Sequence, residues 1–129
     1  MGVAAVSMKI RVLIADDHRL FAEALAAILA IDERIEVVGQ AADGEKAVEL
    51  AASKDPDVVL MDIQMPRLDG VEAARRIKEG PNATAVLMLT GSDSAADVAR
   101  AREAGAAGYV TKDRIASELI DSIVEASAK

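Results

Sequence analysis

The sequence predicts an α/β fold: an open, doubly wound sheet of five parallel strands with helices on both faces. Three observations lead there. Five short runs rich in Val, Ile, Leu and Met alternate with five segments whose apolar residues recur at helical spacing. The runs are nearly continuous in apolar character, as expected of strands covered on both sides. Hydrophobic residues make up 52% of the chain and aromatics only 2%, so the core must be aliphatic, which suits strands sandwiched between helices.

Residues 9–15, KIRVLIA, read as the first strand. A helix follows over 19–31, with Leu20, Phe21, Ala24, Leu25, Ile28 and Leu29 on one stripe. IEVVGQAA at 35–42 is the second strand, and the helix at 43–53 opens on Asp43–Gly44 and turns Ala47, Val48, Leu50 and Ala51 inward. DVVLM at 57–61 is the third strand. Asp69 and Gly70 open a third helix that runs to Glu79 and is stopped by GPN at 80–82. TAVLMLT at 84–90 is the fourth strand. The fourth helix, 92–105, starts at a Ser–Asp cap and ends at Gly105. Its apolar face is mostly Ala with Val98, so it buries little area and is expected to be the most loosely docked. GYVT at 108–111 is the fifth strand, and the last helix, 114–127, turns Leu119, Ile120, Ile123 and Val124 inward. Residues 1–8 are expected to be a disordered leader, followed by one domain over 9–127.

Composition narrows the functional classes. A chain of 129 residues fits one domain with a real core. With no cysteine, disulfides, thiolate metal sites and cysteine nucleophiles are excluded, and one histidine cannot build a multi-His zinc site. A net charge of −7 repels phosphate backbones, which argues against direct nucleic-acid binding and leaves the surface free for cations or basic protein faces. No apolar stretch reaches the ~20 residues that span a bilayer. MGVAAVS has neither the basic residue nor the length of a secretory signal, so the reading is cytoplasmic with no membrane contact.

In open parallel sheets, ligands bind beyond the carboxyl ends of the strands. The first strand is followed there by Asp16 and Asp17, the third by Asp62, the fourth by Thr90 and the fifth by Lys112. Clustered carboxylates repel unless a cation joins them. Mg2+ suits a site with few oxygen ligands that keeps its waters, and the backbone carbonyl of Gln64 could complete the shell. A site with Mg2+, an ammonium and a hydroxyl is a receptor for a phosphoryl group, and an aspartate can be its nucleophile. Asp62, on the central strand between the acid pair and Lys112, is the candidate.

Each residue also has a plainer reading. Asp16–Asp17 could be a helix cap, Thr90 could cap the fourth helix, Lys112 could be a solvated charge and Tyr109 could be core or surface filler. His18 follows a strand and reads as structural or surface, not as a phosphodonor.

LIADDH (13–18), VVLMDIQMPRLDGVEA (58–73), LMLTGSD (87–93) and GYVTKD (108–113) together resemble the response-regulator receiver domain of two-component signalling, of the NarL/FixJ (LuxR) type. The resemblance implies the flavodoxin-like strand order 2-1-3-4-5. It implies Asp62 as phosphoacceptor, Asp17 as a direct Mg2+ ligand with Asp16 in support, the Gln64 carbonyl in the shell (Mn2+ as a substitute ion), and Lys112 on the phosphoryl group. Thr90 and Tyr109 match the switch pair, and Gly91 a position kept small. Asp113 stands where many receivers have a proline after a cis bond, so no cis peptide is expected.

The partner implied is a sensor histidine kinase. The domain would catalyse only its own phosphotransfer and slow autodephosphorylation, not the turnover of a metabolite. Its output face, 93–125, would serve dimerisation or an effector; the homodimer would form through the fourth helix, fifth strand and fifth helix, or through the first and fifth helices. Receivers of this type usually continue into a helix-turn-helix DNA-binding domain, so the sequence reads as a piece of a transcription regulator. The alternative is a stand-alone receiver or phosphorelay intermediate. A flavodoxin-like cofactor binder needs phosphate-cradling donors after the first strand, where this chain has two carboxylates. A phosphatase or mutase needs Asp-x-Asp there. A receiver that binds without being phosphorylated is disfavoured because every reactive position is filled.

Overall fold

The computed structural model describes residues 9–63, 65, 67–91 and 95–128. The elements are β1 (Ile10–Ala15), α1 (Arg19–Ala30), β2 (Ile35–Ala41), α2 (Gly44–Lys54), β3 (Val58–Asp62), α3 (Gly70–Glu79), β4 (Ala85–Thr90), α4 (Ala95–Glu103), β5 (Gly108–Thr111) and α5 (Ile115–Ser127), with a 3-10 turn at Lys112–Arg114. The five strands form one sheet in the order β2-β1-β3-β4-β5, with every neighbouring pair parallel. This is the doubly wound architecture that the alternation of elements predicts, in the flavodoxin-like order that the resemblance implies. The expected leader, 1–8, and the expected start of the fourth helix, 92–94, lie outside the described residues.

β3 sits between β1 and β4, and its five residues are all buried. Alternate residues feed two cores. Val59 and Met61 point with Leu13, Ala15, Val86 and Met88 toward α2, α3 and α4; Val58 and Leu60 point with Val12, Ile14, Leu87 and Leu89 toward α1 and α5. The strand runs one residue further than the apolar pattern suggests. Asp62 pairs with Leu89, and the Ile63 N–H donates to the Leu89 carbonyl at 3.1 Å. The ladder thus holds the carboxylate-bearing backbone itself.

The predicted inner stripe of α1 needs correction. Ala22, Leu25 and Leu29 are buried and Phe21 is partly buried, whereas Leu20 is 82% exposed, Ile28 is 50% exposed and Ala24 is exposed. Every residue of α1 except Arg19 and Glu23 is apolar, so periodicity alone cannot choose its face. On α2, Ala47 and Ala51 are buried, with Val48 and Leu50 half-buried against them. On α5, Leu119 and Ile123 are buried and Ile120 is half-buried, and Ile115 and Ala126 join them beyond the predicted stripe. In α4 only Ala101 is buried, in keeping with its weak apolar face.

Two glycines fix the approach of helices to the cleft end of the sheet. A Cβ on Gly70 would stand 2.1 Å from the Asp62 carbonyl oxygen, and one on Gly44 would stand 1.9 Å from that of Leu68. Only a bare backbone lets α3 start this close to the end of β3. All peptide bonds among the described residues are trans, Lys112–Asp113 included, as Asp in place of Pro leads one to expect.

Candidate functional site

β1, β3, β4 and β5 all deliver polar side chains to one edge of the sheet. The Asp16 N–H donates to the Ala41 carbonyl of β2 at 3.0 Å, fixing the turn after β1. Its side chain is wholly buried: Oδ1 accepts from the His18 backbone N–H at 2.8 Å, and Oδ2 lies 3.2 Å from Lys112 Nζ. The same ammonium lies 3.6 Å from Asp62 Oδ2 and 4.5 Å from the centre of the Phe21 ring. Burying two carboxylates would be costly without a cation among them. Lys112 supplies one, and the Phe21 ring supports it from beneath.

Asp17 is more open than Asp16 and, with Asp62, Thr90, Gly91 and Lys112, lines a cleft of about 770 Å3. Thr90, the buried last residue of β4, comes to the wall of this cleft. A Cβ on Gly91 would meet nothing within 4 Å among the described residues, which leaves room beside it at the cleft. The rim is closed by polar groups. Asp69 caps α3 by accepting from the Glu72 N–H at 2.9 Å, and its other oxygen lies 3.5 Å from Nη2 of Arg100 on α4.

The structure therefore brings together Asp16, Asp17, Asp62, Thr90 and Lys112 from strand ends far apart in sequence. It does not bring Tyr109 to them. That ring is 39% exposed and lies at a separate depression between α4 and α5, beside Ala101 and Ser122. Gln64, expected to offer its carbonyl, and Pro66 beyond it lie outside the described residues. Three participants escape a reading of strand ends: Phe21 under Lys112, Arg100 at the rim, and His18. The His18 Nδ1 stands 3.3 Å from Asp16 Oδ1 and 3.4 Å from Asp17 Oδ1. Its position directly after the acid pair was the available signal.

Ligand atoms of Asp16, Asp17, His18 and Asp62 all lie within 4.8 Å of one another. A donor set dominated by carboxylate oxygens at this spacing fits a hard divalent cation such as Mg2+.

The sequence model of the response regulator receiver domain matches residues 12–124. The chain belongs to the response-regulator receiver family. Among receiver relatives, it is 43% identical over 115 residues to the transcriptional regulatory protein DegU of Brevibacillus brevis, covering 89% of this chain and 49% of that protein. The receiver domain of the putative response regulator NarL from Mycobacterium tuberculosis superposes with a TM-score of 0.89 at 36% identity, covering 94% of this chain and 98% of that one. A LuxR-family two-component response regulator from Aurantimonas gives 0.88 at 34% identity, covering 93% and 86%. The receiver spans about half the length of the curated relatives it matches. Among the described residues, no helix is long and apolar enough to cross a membrane.

Proposed function

We propose that this receiver, spanning residues 9–127, is a phosphorylation-dependent signalling switch in which Asp62 accepts a phosphoryl group from a sensor histidine kinase. The observation that carries the reading is the placement of Asp62. It is the last residue of the central buried strand, with the Lys112 ammonium 3.6 Å away and the acid pair within 4.8 Å. An oxygen of Asp62 attacks phosphorus in line, the bond from phosphorus to the donor's leaving group breaks, and an acyl phosphate forms on Asp62.

Asp17 and Asp62, with Asp16 behind them and the Gln64 carbonyl, would hold Mg2+ or Mn2+, which when bound neutralises phosphoryl oxygens. The burial of Asp16 against Lys112 suits a supporting role, and the openness of Asp17 suits direct ligation. Lys112 is placed to leave Asp16 partly for an incoming phosphoryl oxygen. Thr90 offers its hydroxyl at the cleft wall, and Gly91 leaves room there.

Phosphorylation of Asp62 gives Thr90 and Lys112 a new partner and biases α4 and β5 between two arrangements, with Tyr109 turning inward as Thr90 moves. The thin burial of α4 and the outward ring of Tyr109 support this assignment. The output is a DNA-binding region of a longer protein, supported by relatives about twice the length that are named transcriptional regulatory proteins. Homodimers form through α4, β5 and α5 or through α1 and α5; the outward Leu20, Ile28 and Ile31 support the second face. The protein works in the cytoplasm, and its chemistry is confined to its own phosphorylation and slow hydrolysis.

The test is intact-mass measurement after incubation with acetyl phosphate and Mg2+. Wild type gains about 80 Da, one HPO3 unit, and Asp62→Asn gains nothing. Equal labelling of the two, or no labelling of the wild type, contradicts the reading.

A further inference from the structure

We propose that His18 is an imidazole ligand of the divalent site and tilts its selectivity from Mg2+ toward nitrogen-seeking ions such as Co2+ and Ni2+. The inference rests on the reading of the acidic cluster as a cation site. It adds to that site a residue from outside the carboxylate set.

Two neighbouring ligands of an octahedral ion, each near 2.1 Å from it, stand about 3 Å apart. His18 Nδ1 is already 3.3 Å and 3.4 Å from one oxygen each of Asp16 and Asp17. The spacing to Asp17 is that of an octahedral edge opened by a few tenths of an ångström, and Asp16 holds the ring from behind. The backbone supports this placement. His18 has extended dihedrals (φ −85°, ψ 95°) at the start of α1, and its N–H is held by Asp16 Oδ1 at 2.8 Å. The side chain is 70% exposed, so no packing resists the small turn that would aim the nitrogen at an ion between the carboxylates.

Ligand chemistry supplies the selectivity. Mg2+ is hard, prefers oxygen and gains little from imidazole. Co2+ and Ni2+ bind nitrogen well and stand above the lighter ions in general affinity. The sequence contains one histidine and no cysteine, so such an ion finds no second imidazole or thiolate on this chain. The competing role for His18 is a ring N–H donating to the two carboxylates. In that role its loss would alter the binding of all divalent ions alike.

The experiment is calorimetric titration of the untagged chain with Mg2+, Co2+ and Ni2+, for wild type, His18→Ala and Asp17→Asn. His18 makes no side-chain cap bond, so H18A leaves α1 intact; His18→Asn, a better N-cap, serves as a second variant. The expected result is a loss of about ten-fold or more in Co2+ and Ni2+ affinity in both His18 variants, with Mg2+ affinity changed less than about two-fold. Proton NMR of the Co2+-loaded wild type should show strongly shifted imidazole resonances, absent in H18A. Equal losses for Mg2+ and Ni2+, or unchanged Ni2+ affinity, overturn the proposal while leaving the carboxylate site standing. Failure of the wild type to bind Mg2+, with D17N no different, overturns the cation site itself and the proposal with it.

Discussion

All five residues of β3 are buried, with a hydrogen-bonded strand on either side, whereas of the nine residues of α4 only Ala101 is buried. The end of β3 and one side of α4 border the same cleft. Asp62 closes the first, and Arg100 of the second reaches across the rim to Asp69. Local opening free energies follow burial and backbone pairing. On the reading proposed above, the phosphoacceptor stands on the well-buried part of the receiver, expected to open last, and the responding element on a thinly buried part, expected to move at little cost. A chemical signal of a few kcal/mol can shift such an element without endangering the fold.

The largest effect that could break this contrast is a core deletion in each region. Leu60→Ala should cost about 2–5 kcal/mol in urea denaturation, because Leu60 is wholly buried between two strands. Val98→Ala on α4 should cost about 1 kcal/mol or less, since Val98 is only half-buried. Similar losses at the two positions would erase the distinction.

Glycines sharpen it next. Gly70→Ala drives a Cβ into the Asp62 carbonyl and should cost about 1–3 kcal/mol while slowing phosphoryl labelling. At Gly91 an added Cβ meets nothing within 4 Å among the described residues, so Gly91→Val should change stability by less than about 0.5 kcal/mol, yet narrow the cleft and slow labelling. Parallel measurement of denaturation midpoints and labelling rates separates the two kinds of effect.

The smallest effect lies far from the cleft. In the turn after α1, the Arg34 guanidinium and backbone N–H both donate to Asp32, lowering its pKa from 3.8 to about 2. The folded state favours the carboxylate, so this small contribution to stability is present in full above 3.8 and fades as pH falls through about 2. Carbon-detected NMR titration should move the Asp32 midpoint toward 3.8 in Arg34→Ala; an unmoved midpoint would assign the shift elsewhere.

The parallel sheet and the strand-end cluster were legible because they follow from strong local patterns, while the strand order came from the family resemblance. Apolar runs such as VVLM mark buried strands, and parallel topology carries their carboxyl ends to one edge. Asp16, Asp17, Asp62, Thr90 and Lys112 could be read for that reason. The face of α1 could not, because Leu20 and Ile28 are as apolar as Leu25 and Leu29, and only the seat against the sheet distinguishes them. The nearness of Phe21, Arg100 and His18 to the acidic cluster was not legible for a related reason. Their roles depend on the direction of a side chain on a helix or at its start, which spacing from a strand end does not encode.

The central claim is that Asp62 carries the phosphoryl group. Borohydride reduction of the phosphodonor-treated receiver converts an aspartyl phosphate to homoserine, and peptide mass mapping locates it. The account requires homoserine at position 62 and nowhere else, dependent on Mg2+. Homoserine at Asp16, Asp17 or another carboxylate, or none anywhere in the chain, would contradict it.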